Sequence, residues 1–165
     1  MKTIDRAVLT QQLYFHGRAA PEATVVVPSV LVAVRWLGGR LLLVRRCESG
    51  LWELPGGRVH VGENAVEAAV RKTAAEAGVR VLVTGLEGLF TAPGHVVRST
   101  RGEVGQSFAV LLRARWTGGE PRGDQRGTSD ARWIPPADMS GLAMEPSTRR
   151  CVAQALTVGE PPCLR

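Results

Sequence analysis

Residues 56–79 constrain this chain more than any other stretch. Gly56-Gly57 opens it, and a glycine pair lets a backbone come close to a ligand. Arg58 follows at once, then a short loop that ends at Glu63. The spacing after that predicts a helix over 64–77. Asn64 can cap its start, Glu67 three residues on completes a capping box, and Val66, Ala69, Val70, Thr73 and Ala77 recur at helical spacing before Gly78 stops it. Lys72 and Glu76 are four apart and share one face, which position 75 borders.

The flanking pattern predicts strands. Val25–Trp36 is rich in β-branched residues, Gly38-Gly39 turns the chain, and Leu41–Arg45 returns as a hairpin partner. Ser49-Gly50 is a turn and Leu51–Leu54 a short extended piece. Further strands are expected at Val79–Thr84, Leu86–Thr91, Gln106–Trp116 and Ala131–Ile134, with a polar loop from Gly118 to Gly127. Met144–Leu156 reads as a terminal helix with Ser147 as its cap. Residues 1–20 read as a partly helical lead-in, and 157–165, with Pro161-Pro162, as a loose tail. Strands, helix, strands, helix make an α/β domain with a mixed sheet, and 165 residues suit one domain over 1–165.

Composition excludes several classes. Apolar residues at 44% and charged residues at 22% argue against disorder. The longest apolar run, Val25–Val34, is interrupted by Pro28 and Ser29 and falls short of the ~20 residues of a membrane span. Met1–Ala7 carries Lys2, Asp5 and Arg6 with no apolar segment behind them, unlike a secretory signal. Cys47, Cys151 and Cys163 have no metal or redox spacing, so a cytoplasmic protein with free thiols is expected, Cys151 packing in its helix. His16, His60 and His95 are too scattered for zinc. The net charge is +6, nearly all from arginine, since Lys2 and Lys72 are the only lysines. Such a balance favours anionic ligands. No aromatic–basic stripe or recognition-helix pattern points to nucleic acid.

The stretch from Gly57 to Val79 resembles the Nudix box: Gly, five residues, Glu, seven residues, Arg-Glu-apolar-any-Glu-Glu-any-Gly-apolar. Gly57, Glu63, Arg71, Glu76, Gly78 and Val79 match it, and Leu54-Pro55-Gly56-Gly57 matches the usual lead-in. The likeness extends over about residues 25–156, through the Val26–Arg45 hairpin, the Glu103–Trp116 loop and strand, and Trp133-Ile134-Pro135. It implies a Nudix-type α/β/α sandwich with a mixed β-sheet, one helix after the Gly-Gly loop and a C-terminal helix. It leaves room for a homodimer.

The resemblance also implies Mg²⁺ or Mn²⁺, held by carboxylates on one helix face and by a carbonyl of the Gly-Gly loop, here Gly56. Such ions neutralise a diphosphate and activate water. This sequence departs from the pattern where that chemistry lives. Lys72 and Ala75 stand where the pattern has glutamates, and Thr73 takes an apolar position. The local charge changes by three units, each worth several kcal/mol at short range even at an effective dielectric of ~20. At most one ion is therefore expected on this helix, on Glu76. Glu103, in the loop Gly102–Gly105, is the candidate for a further ligand or base, so Glu76 and Glu103 are the candidate catalytic pair.

Arg58, Arg71 and Lys72 are candidate phosphate-binding cations, with Glu63 and Arg71 also expected to pair and brace loop to helix. Lys72 has two readings: it contacts phosphate in place of a metal's charge, or it pairs with Glu76 across one turn. Trp52, Phe90 and His95 are candidates to line a pocket for a base or apolar group, while Trp36 reads as core. Specificity is expected in Thr91–Gly105 and Gly118–Ser129. Three functions follow from the resemblance. The first is a hydrolase of a nucleoside diphosphate linked to another group, with weakened or altered metal dependence. The second is a repurposed fold running a non-hydrolytic, metal-independent biosynthetic reaction. The third is a non-catalytic nucleotide-binding or regulatory module.

Overall fold

Alternation along one strand sets the architecture. Val30, Val32 and Val34 pack into one core while Leu31 and Ala33 face a second, so the strand Val25–Trp36 is covered on both sides over residues 30–34. The computed structural model describes residues 13–16, 20–98 and 102–164. Its strands are β1 (Leu13–His16), β2 (Val25–Trp36), β3 (Arg40–Arg46), β4 (Trp52–Glu53), β5 (Gly56–Arg58), β6 (Arg80–Phe90), β7 (His95–Arg98), β8 (Val104–Gly118), β9 (Thr128–Ile134) and β10 (Cys163–Leu164). Two helices, α1 (Ala65–Ala77) and α2 (Pro146–Leu156), cover the two faces.

The sheet is mixed. β2 and β8 run parallel over Val25–Arg35 and Gly105–Arg115, and β6 flanks β8 antiparallel. β3 joins the end of β2 as the expected hairpin and carries β4 and β9. Beneath α1 lie Val30, Val32, Val34, Leu42, Val44 and Leu112; beneath α2 lie Ala33, Leu41, Leu43, Trp52, Leu54 and Leu111. Full burial of each such Val or Leu contributes roughly 1.5–3 kcal/mol. This is the expected α/β/α sandwich.

Helix α1 forms where the local signals put it. The Asn64 side chain accepts from Glu67 N–H, the Glu67 carboxylate accepts from Asn64 N–H, and Gly78 ends the helix at φ 68°. Thr73 is fully buried at its apolar position because its hydroxyl donates to the Ala69 carbonyl at 2.8 Å.

Other expectations change. Within the lead-in, Leu13–His16 is a strand antiparallel to His95–Arg98; residues 1–12 and 17–19 lie outside those described. The tail is not wholly loose, because Cys163–Leu164 pairs in parallel with Gly88–Leu89. The two strands expected over 79–91 are one, β6, whose register to β8 shifts at Val83/Gly85 and Leu86/Gly88. Ser147 does not cap α2. Glu145 holds the cap position, with no side-chain bond to the helix-start N–H groups, and Pro146, with φ already set, starts the helix. At its other end, Arg35 donates to the carbonyls of Ala155 and Thr157 and pairs with the buried Glu87 at 3.0 Å.

The polar loop after β8 is fastened under α1. Arg122 N–H donates to the Ala77 carbonyl at 2.9 Å, and the fully buried Thr128 donates its hydroxyl proton to the Glu76 carbonyl at 2.7 Å. Asp124 knots the loop by accepting N–H bonds from Arg126, Gly127 and Thr128 at 2.8–2.9 Å. Asp124→Ala is expected to cost about 1.5 kcal/mol, because water replaces part of what the carboxylate supplied. Thermal unfolding should show a Tm about 3–6 °C lower; a change under about 1 °C would mean that the knot does not hold the loop.

Candidate functional site

The box loop is anchored before any ligand is considered. β5 pairs antiparallel with β2, Leu31 opposite Gly56 and Val30 opposite Gly57. A Cβ on Gly56 would lie 2.2 Å from the Val30 carbonyl oxygen, so only glycine permits this approach. At Gly57 a Cβ would meet the end of Lys72, 2.6 Å from Cε and 3.0 Å from Nζ. The lysine stem thus lies along the loop.

Four charged side chains converge beside this loop. Glu76, 5% exposed, accepts from Gly56 N–H at 3.1 Å and from the Arg46 guanidinium at 2.9 and 3.3 Å, and Lys72 Nζ lies 2.5 Å from its Oε1. Arg46 Nε also donates to Glu53 on β4. Two cations balance two carboxylates. Burial alone would raise the Glu76 carboxyl, but Arg46 and Lys72 outweigh it and hold the group below its usual range. Burial pushes the Glu53 carboxyl up; Arg46 opposes this and the Glu76 charge adds to it. Of the two readings of Lys72, the side chain here makes the pair across one turn.

Arg71 braces the loop. It donates to both oxygens of Glu63, at 2.6 and 2.8 Å, and to the Arg58 carbonyl at 3.1 Å. The Arg71 bonds, helped by His60 N–H, bring the Glu63 carboxyl down to about 2 from 4.5. The folded carboxyl therefore takes up a proton less readily than the unfolded one. Its stabilisation is complete above pH about 4.5 and is lost as the pH falls toward about 2. Acid unfolding of Glu63→Gln should show a weaker loss across that window than the parent, and superimposable pH curves would remove the brace as its cause.

The remaining candidates are dispersed. Glu103 is exposed just before β8. Gly105 pairs with Val25 while Gly56 pairs with Leu31, so about 20 Å of strand separates their levels in the sheet. Trp52 is buried in the core under α2 with the Arg132 guanidinium 5.9 Å from its ring centre, and Phe90 packs against the same core, half-buried. His95 begins β7, opposite His16. Trp36 packs in tilted contact with Trp133 and Trp116 at ring-centre distances of 5.2 and 6.2 Å, in keeping with a packing role. Cys151 is buried, its thiol pushed up to about 12 by that burial. Arg46 and Glu53 were missed in the sequence. The signal was present but weak: Glu53 lies two residues before Pro55-Gly56-Gly57, and Arg46 ends the strand that β4 pairs with.

The residues present do not fit the divalent ion that the box resemblance implies. Donors surround the Glu76 carboxylate: two cations and one N–H. A dication ~4 Å from a fixed cation meets about 8 kcal/mol of repulsion at an effective dielectric of ~20. Among the described residues, no three His, Cys, Asp or Glu side chains converge as a metal shell would require. Nor is any described helix long and apolar enough to cross a membrane.

Comparison with known proteins places the fold and the box in one family. A family profile described as NUDIX domain matches residues 26–155. A protein of Bacillus subtilis (strain 168) that carries the provisional name 8-oxo-dGTP diphosphatase is 33% identical over 111 residues, 67% of this chain and 67% of its own length. A MutT-like protein of Streptomyces ambofaciens is 34% identical over 102 residues, 62% of this chain and 59% of the relative. A crystal structure of a NUDIX hydrolase from Nitrosomonas europaea superposes with a TM-score of 0.70 at 16% identity, covering 100% of this chain and 99% of that one, and so shares the fold. With the family profile spanning both helices and most of the sheet, the chain belongs to the Nudix hydrolase family.

Proposed function

We propose that this chain hydrolyses a nucleoside diphosphate linked to another group, at the loop between β5 and α1, with a weakened or altered dependence on divalent metal. One observation carries the reading: the Gly-Gly loop and its Glu63–Arg71 brace are intact, with Arg46 and Lys72, paired here with Glu53 and Glu76, as the cations beside the loop that phosphate oxygens would engage. Arg58, next in the chain and half-buried, adds a third cation at the loop. These side chains would bind and orient the phosphates, and Glu53, whose carboxyl burial pushes up, is the carboxylate beside them to hold a proton, since donors on both oxygens keep Glu76 below its usual range. The name of the Bacillus subtilis relative points to a nucleoside triphosphate, which meets the same description with phosphate as the linked group. The free thiols of Cys47, Cys151 and Cys163 suit a cytoplasmic setting.

A second reading, a module that binds such a ligand or transforms it without hydrolysis, is favoured by the occupation of both Glu76 oxygens. The test is turnover of 8-oxo-dGTP, ADP-ribose and other pyrophosphate-linked nucleosides in Mg²⁺, Mn²⁺ or EDTA. Pyrophosphate cleavage that falls by no more than about tenfold in EDTA, ~1.4 kcal/mol of barrier, supports the proposal. Cleavage abolished by EDTA overturns the altered metal dependence. Saturable binding with no product overturns hydrolysis and leaves the second reading.

A further inference from the structure

The misfit between these residues and a divalent ion has a specific cause. Arg46 lies on β3, outside the box motif, and its guanidinium fills the space between the carboxylates of Glu53 and Glu76, bonding to both. It spans both Glu76 oxygens as a planar fork, and a guanidinium does not give up its proton in a protein. Lys72 closes a second side of Glu76, and Gly56 N–H directs a donor to Oε2 where a metal would need an acceptor.

We infer that Arg46 and Lys72 are the resident cations of this box, and that Arg46 keeps a divalent ion out even when the two missing glutamates are restored. Lys72→Glu with Ala75→Glu returns the acids of the box pattern, but Arg46 still bridges Glu53 and Glu76. A cation site then requires a change at a position that the box pattern does not include. The inference concerns the same site as the proposed hydrolysis and does not rest on it, because metal affinity is read here without turnover.

The experiment is Mn²⁺ titration of the full chain without nucleotide, followed by electron paramagnetic resonance. Paramagnetic broadening of the Gly56 and Gly57 amide signals locates any bound ion. The unmodified protein should show no saturable site at the box below about 1 mM. Lys72→Glu/Ala75→Glu should improve on this by less than about tenfold, and adding Arg46→Met should bring at least a further tenfold. A micromolar site in the unmodified protein that broadens Gly56 and Gly57 overturns the inference. So does a double variant that binds as tightly as the triple. Should the triple variant not fold, the double variant still decides: a gain of about tenfold or more from Lys72→Glu/Ala75→Glu alone overturns the inference.

Discussion

Glu76→Ala is expected to destabilise the protein by about 3–5 kcal/mol, because truncating one partner of a buried ion network strands the other charges. Arg46 and Lys72 would lose their shared carboxylate and Gly56 N–H its acceptor, at a residue only 5% exposed. The Tm should fall by roughly 10 °C for a chain of this size. The decisive condition is EDTA. A carboxylate kept only as a metal ligand is a burden without metal, and its removal would be neutral or stabilising there. A carboxylate neutralised by Arg46 and Lys72 is needed whether or not a chelator is present. Thermal unfolding in EDTA that changes by less than about 1 kcal/mol would therefore dismiss the network as a structural element.

Gly56→Ala and Gly57→Ala should differ sharply although they are neighbours. At Gly56 the new methyl would sit 2.2 Å from the Val30 carbonyl oxygen and 3.1 Å from the Leu31 Cα, both backbone atoms that cannot swing away. β5 would have to leave β2, taking the Gly56 N–H away from Glu76. A loss of about 3 kcal/mol or more is expected, at the upper end for overpacking. At Gly57 the methyl meets the flexible end of Lys72, which can move, so the cost is about 1 kcal/mol, chiefly from φ +153°. Urea unfolding of both variants would test the ranking. A reversed order would mean that the loop is held by its backbone angles and not by its contact with β2.

Helix α1 was legible because its determinants are local. Asn64, Glu67 and Gly78 specify its ends within the segment itself; of the apolar positions expected on its buried face, Ala69, Thr73 and Ala77 are buried, whereas Val66 and Val70 are exposed. β2 and β3 were legible for a similar reason, as apolar runs on either side of a glycine turn. β1, β7 and β10 were not, because two to four residues carry too little pattern and their pairing is fixed by partners far along the chain. β6 read as two strands because Gly85 looks like a break, whereas the chain bulges and continues along β8. In the site, the Lys72–Glu76 pair was visible as a spacing along the helix, and the Glu63–Arg71 pair through the resemblance to the Nudix box. The Arg46 fork was not: it joins three elements, and no spacing in a single sequence encodes a side chain reaching across strands.

The loop knotted by Asp124 bears on protein engineering. It grips the carbonyls of Glu76 and Ala77 from residues 122 and 128, some fifty positions downstream of the helix they steady. The box is therefore not a portable cassette. A graft of residues 56–79 into another scaffold would carry the helix and its caps but leave behind Arg46, Glu53 and the clasp. The transplanted Glu76 would then face solvent with Lys72 as its one remaining cation partner.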